Sequence, residues 1–296
     1  MKFLSKRIRI LTVAVAAVLV FGLAGTGIAS AGNGGSGNNS SPVLYNSLTT
    51  PQPGGMGTWS VSFGGTNATA FGNKITLASS GQLSNVVVDM SSWACGTGGW
   101  STDDCVTTPG TTYPVAITFS IYGAGVNGVP GSLITSDTQT FKIPFRPSAS
   151  ATCAASYPGE WFDAATGDCL NGYATPITFN NFSRASLPSV VVYGISYAAT
   201  GNAASLNVEV SSDNEVTGAV TVGSDTDPGT VYASAGSGSN DLGGPTGELT
   251  CSAVGTAFVE YSTTVDGATG CGTTIQSTAP FSLVDLIPAV ELNSGY

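Results

Sequence analysis

The sequence predicts an all-β fold, an antiparallel, jelly-roll-like β-sandwich stapled by disulfides, and three observations predict it. Short runs rich in Val, Ile, Thr, Phe and Tyr recur through residues 56–296, separated by Gly, Pro, Asn and Asp. Several runs alternate apolar and polar residues with the period of two expected of a strand that lays one face on a core. Beyond residue 31 no window carries apolar residues at helical spacing, and 40 glycines in 296 residues disfavour long helices. Strands in succession without intervening helices imply an antiparallel sandwich rather than βαβ units.

The expected strands are 59–63, 74–78, 85–90, 115–122, 133–145, 176–179, 189–198, 205–210, 217–222, 230–232 and 257–265. In 115–122, Val115, Ile117, Phe119 and Ile121 share one face, and Thr118 and Ser120 share the other.

Ahead of these strands, residues 1–31 read as an export signal. Lys2, Lys6, Arg7 and Arg9 form a basic start, 10–23 is apolar, and Ala29-Ser30-Ala31 offers small residues to a signal peptidase. Cleavage is expected after Ala31. Gly22, Gly25 and Gly27 interrupt the apolar run short of the ~20 residues that span a bilayer, and no later stretch is long and apolar enough. Residues 32–55 form a leader, Gly/Ser/Asn-rich at its start and too polar there to bury anything, and the sandwich domain occupies 56–296. A secreted or surface location follows.

The cysteines agree with an oxidising compartment. Cys95 with Cys105, Cys153 with Cys169 and Cys251 with Cys271 each bracket a loop-like stretch, which favours pairing in sequence order, although spacing alone does not select a connectivity. Each bridge would stabilise the fold by ~3 kcal/mol in the chain-entropy model. The first two loops share a pattern: Cys, Gly, Trp, Asp, Cys, then Tyr113-x-x-x-Ile-Thr-Phe119 or Tyr173-x-x-x-Ile-Thr-Phe179. Decayed duplication and convergence in a Thr- and Gly-rich chain both explain it. Loops entering from one end of the sandwich would place Trp100 and Trp161 on one rim.

Charge and composition exclude whole classes of function. The net charge is -10, and from residue 32 onward four basic residues face 18 acidic ones, the wrong sign for a nucleic-acid binder. The absence of histidine removes Ser-His-Asp and Cys-His catalysis and the histidine-containing zinc and iron sites. Ser212-Asp213-Asn214 lacks the Ser-x-x-Lys partner of a β-lactamase and reads as a turn. Lys74 and Lys142 sit in strand-like runs and read as solvent-facing edge residues.

Carboxylate chemistry remains open. Glu209 and Glu260 interrupt strands and are the candidate pair for a glycoside hydrolase, against the alternative that each is the outward residue of an alternating strand. No metal site is assigned. Calcium is a weaker reading, at Asp225-Thr-Asp227-Pro-Gly229 or at Asp103, Asp104, Asp163 and Asp168; position twelve from Asp225 is Gly236, which excludes an EF-hand, and the Asp/Pro/Gly content of 225–229 favours a plain turn. The reading that the residues motivate best is polysaccharide binding without catalysis. Trp100 and Trp161 would supply stacking faces, and Asp103, Asp104, Glu160 and Asp163 hydrogen bonds. A surface-protein partner and a purely structural role, in which the tryptophans cap the core, are the alternatives.

The segments Met90-Ser-Ser-Trp-Ala-Cys95, Phe141-Lys-Ile-Pro-Phe-Arg-Pro147, Val192-Tyr-Gly-Ile-Ser-Tyr197 and Val222-Gly-Ser-Asp-Thr-Asp-Pro228 occur in an order that resembles a group of uncharacterised secreted bacterial β-sandwich proteins. The resemblance covers roughly residues 56–290. It implies export and an all-β fold, and no activity.

Overall fold

A computed structural model of the chain describes residues 42–48, 59–66, 68–126, 129–212, 220–226, 230–235, 258–262 and 286–295. The export signal, Cys251, Cys271, Asp213, Asn214, Gly236 and residues 227–229 lie outside them. The described residues belong to one unit, Ser40–Tyr296.

Strand β1 (Val43–Asn46) is followed by β2 (Trp59–Ser62), a four-residue helical turn (Phe63–Thr66), β3 (Ala68–Thr76), β4 (Gly81–Ser92), β5 (Thr112–Gly123) and β6 (Leu133–Pro144). A small hairpin of β7 (Trp161–Asp163) and β8 (Asp168–Leu170) precedes β9 (Tyr173–Phe179), β10 (Ser186–Leu187) and β11 (Val190–Tyr197). After a 3-10 turn (Gly201–Ser205) come β12 (Leu206–Ser212), β13 (Ser224–Asp225), β14 (Thr230–Ala235), β15 (Val259–Ser262), β16 (Leu286–Pro288) and β17 (Val290–Ser294).

Beside that hairpin, two larger antiparallel sheets form among the described residues. The first runs β1-β17-β4-β12-β16, with β9 and β10 also paired to β4 and β2 to β12; the second runs β15-β14-β3-β11-β5-β6, with β13 also on β3. The antiparallel, disulfide-bonded all-β fold expected from the sequence is the fold observed.

Side-chain alternation builds the core between the sheets. Tyr113, Val115, Ile117, Phe119 and Ile121 of β5 are buried, as the period of two requires, and they join Val86, Val88 and Met90 of β4, Leu206, Val208 and Val210 of β12, and Val290 and Leu292 of β17. Phe119 stacks on Tyr193 at 5.5 Å between centroids and meets Phe179 at 5.8 Å. Such ring pairs add ~0.5–1.5 kcal/mol each beyond the area they bury. The two Tyr-x-x-x-Ile-Thr-Phe segments are β5 and β9, one in each sheet, so their phenylalanines meet across the core.

Strand β1 corrects the extent of the leader. Leu44 and Tyr45 are buried and β1 pairs with β17, so the domain begins before residue 56. Lys142 is exposed on the edge strand β6, as expected, whereas Lys74 lies half-buried on the interior strand β3. On β11, Gly194 lets the Phe258 ring lie against the backbone. A Cβ there would come within 2.9 Å of the ring, which also contacts Tyr122 and Tyr232.

One irregularity positions residues discussed below. β12 pairs with β4 only from Leu206 to Val208, opposite Ser92 to Met90. Beyond these the two strands part, and Ala289, between β16 and β17, stands in the fork. Its N–H donates to the Glu209 carbonyl at 2.9 Å, and its carbonyl accepts the Asp89 N–H at 3.0 Å.

Candidate functional site: a rim of two cystine loops

The first loop follows β4 and is closed by Cys95–Cys105, with Cα atoms 5.4 Å apart. Thr97 and Val106 exchange two backbone hydrogen bonds at its base. Inside it, the Asp104 carboxylate accepts from the Gly99 N–H at 2.9 Å and the Thr102 hydroxyl at 2.5 Å. The Thr102 bond, then the Gly99 bond, hold that carboxyl below the usual range. Asp103 adopts a left-handed backbone conformation, φ 62°, which aspartate tolerates better than most residues. Trp100 is 41% exposed, and its ring meets Trp93 edge-on at 4.9 Å. Trp93 in turn donates its indole N–H to the Ser91 hydroxyl at 3.2 Å.

The second loop follows β6 and is closed by Cys153–Cys169, with Cα atoms 5.7 Å apart. The loops pack side by side. Gly159 lies against the first loop, where an added Cβ would stand 3.0 Å from the Asp103 Cα and 3.1 Å from the Trp100 carbonyl oxygen; its φ of 79° also favours glycine. Arg146, fully buried, stitches them together. Its N–H donates to the Ala94 carbonyl, and its guanidinium donates to the Gly159 carbonyl at 2.5 Å. Burial lowers the Arg146 pKa, and the nearby Glu160 charge opposes that shift.

Trp161 corrects the expectation that both tryptophans are stacking platforms. It is 6% exposed, donates its indole N–H to the Gly172 carbonyl at 2.9 Å, and meets Tyr173 in a T-shaped contact at 5.7 Å. Strand alternation is the reason: on β7, Trp161 and Asp163 face inward and Phe162 outward. Asp163 is buried as well, and its hydrogen bonds are local. It accepts from the Ala165 N–H at 3.0 Å and the Thr166 hydroxyl at 3.1 Å, closing the β7–β8 turn. Glu160 accepts the Asn171 amide at 2.9 Å. The expected hydrogen-bonding set therefore serves largely to shape the loops. Tyr157, which sequence reasoning passed over, is half exposed beside Gly159. Its signal was its place inside a cystine loop.

The candidate catalytic pair is divided. Glu209 lies on β12 in the first sheet, opposite Ser60, while Glu260 lies on β15 in the second, opposite Tyr232. Glu209 also departs from the expected solvent-facing position, being 2% exposed. Its neighbour across the fork, Asp89, is equally buried, and burial raises the Asp89 pKa to about 6 against the pull of the Met90 backbone. One row along the same face, the Asn207 side chain lies between donors. With its carbonyl oxygen turned to them it accepts from Ser60 Oγ at 2.8 Å and shares the Trp93 indole N–H, with Nε1 3.3 Å away, with Ser91 Oγ, and its nitrogen donates to the Leu206 carbonyl.

Asp225, the first residue of the weaker calcium candidate, accepts the Asn73 amide at 3.0 Å. Among the described residues no three His, Cys, Asp or Glu side chains gather as a metal shell. Nor is any helix long and apolar enough to cross a membrane. The two disulfides point to an oxidising compartment. No protein-family model, curated protein or solved structure matches the chain.

Proposed function

We propose that the chain is a secreted or surface-held module that binds a polysaccharide without catalysis, using the rim of the two cystine loops. The observation that carries the reading is Trp100: a large, exposed indole on a loop closed by a disulfide and braced edge-on by Trp93. Sugar rings stack on such faces, and a rigid mount lowers the entropy lost on binding. Exposed Tyr157 on the adjoining loop extends the platform. With a net charge of -10, a neutral polysaccharide suits the chain better than an anionic one.

The test is retention of the oxidised protein on insoluble and immobilised neutral polysaccharides, with reducing-sugar release measured in the same tubes. Retention lost in Trp100→Ala and weakened in Tyr157→Ala, without sugar release, is the expected result. Absence of retention across the panel would instead favour a structural surface role, a reading that buried Trp161 already supports.

A further inference from the structure

We propose that Asp89 and Glu209 anchor a site for a hard divalent cation, such as calcium, on the outward face of the first sheet. This inference does not depend on the polysaccharide reading. The residues facing away from the core form two rows across the sheet: Pro176, Asp89, Glu209 and Ser60 in one, Ala174, Ser91, Asn207 and Ser62 in the next.

Oxygen Oδ1 of Asp89 is buried and accepts no hydrogen bond. A buried carboxylate oxygen without a partner is costly, and a bound cation removes that cost directly.

Spacing supplies the second argument. Ala289 is hydrogen-bonded to Asp89 on one side and Glu209 on the other, so these backbones stand two strand spacings apart, roughly 10 Å. Across that span an aspartate and a glutamate turned toward each other would leave a gap of the size bridged by an ion with ligands at about 2.3–2.6 Å.

The surrounding donors point to the class of ion. Ser60 and Ser91 offer hydroxyl oxygens, while the chain has no histidine and its four described cysteines are in disulfides. Oxygen donors alone select a hard cation over zinc or copper. Two carboxylates completed by water suit a weak site, with a dissociation constant on the order of 10⁻⁴–10⁻³ M, as in extracellular modules.

The experiment uses the folded, oxidised protein, first treated with chelator and then titrated with calcium chloride at about pH 7.5, beside Asp89→Asn and Glu209→Gln. In about 10 mM calcium the wild-type Tm is expected to rise by about 5 °C, and both variants to lose that rise. No rise in the wild type together with no binding heat by calorimetry overturns the proposal, and so does a rise retained by both variants. Should a variant fail to fold, terbium provides a second readout on the wild type. Tryptophan-sensitised emission that calcium displaces, and that falls in Trp93→Phe, supports the site; absence of emission, or emission indifferent to calcium, counts against it.

Discussion

Between Cys95 and Cys105 the tryptophan sits in an irregular turn and turns its ring to solvent; between Cys153 and Cys169 it sits on a three-residue strand and turns inward. The ingredients are the same, cysteine, glycine, tryptophan and aspartate, but the backbone under them differs. In the second loop the hairpin's alternation decides which side chains face the core, and Phe162 is the ring left outside. A compositional motif thus carries a chemical inventory without carrying direction, which comes from local backbone period.

The sharpest way to break this contrast is to truncate both rings. Trp161→Ala removes a buried ring and strands the Gly172 carbonyl, for an expected loss of about 3–5 kcal/mol in urea unfolding. Trp100→Ala is expected to cost under about 1 kcal/mol while abolishing polysaccharide retention. Equal costs for the two would mean that Trp100 is a structural cap as well.

The bridges come next in size. Cys153→Ser with Cys169→Ser closes no 16-residue loop and should cost about 3 kcal/mol; the same change at Cys95 and Cys105, separated by 10, should cost slightly less. If Trp100 depends on its bridge for rigidity, the second change weakens retention more than the first, despite its smaller effect on stability.

A third comparison sets the satisfied carboxylates of the loops against Asp89. Its folded pKa of about 6 lies above the ordinary 3.8, so the fold favours the protonated form: stability is greatest below about pH 4 and falls as pH rises through 6. In chelator, Asp89→Asn should therefore gain about 2–3 kcal/mol above about pH 7, a gain that vanishes below about pH 4. A flat difference across that range would show that the Asp89 charge is compensated.

The smallest effect concerns Asp104, whose pKa is lowered by Thr102 and Gly99. The order this carboxylate lends the first loop is present above the ordinary carboxylate range and lost as pH falls through the lowered folded value. Trp100 fluorescence anisotropy should drop in that acid range in the wild type and show no such transition in Asp104→Asn.

Strand β5 is legible in the sequence because it alternates cleanly, and β11 because its β-branched and aromatic run is bounded by turn residues. Strands β1, β16 and β17 are not: each is short, lies near a Gly- or Pro-containing stretch, and becomes a strand only by pairing with distant partners. The same limit applies to the site. Pairing in sequence order finds the two described disulfides because those cysteines close local loops, but alternation reads Asp89 and Glu209 as merely outward-facing. That they are buried, and that Ala289 aligns them, depends on a fork between strands remote in sequence. Their local signal, a carboxylate inside a run of Val and Met or between valines, is visible only once both strand edges are known to be occupied.

The pairing of β1 with β17 also governs when this fold can form. The Asn46 amide donates to Glu291 across 245 residues of chain, and Leu44 and Tyr45 are buried in a sheet that includes that partner strand. Contacts of such high order must wait for both ends, so folding is expected to be slow and to complete only after nearly the whole chain is available. Until β17 has been made, β1 lacks the strand it pairs with, so this part of the first sheet is a late closure that joins the two most distant described segments.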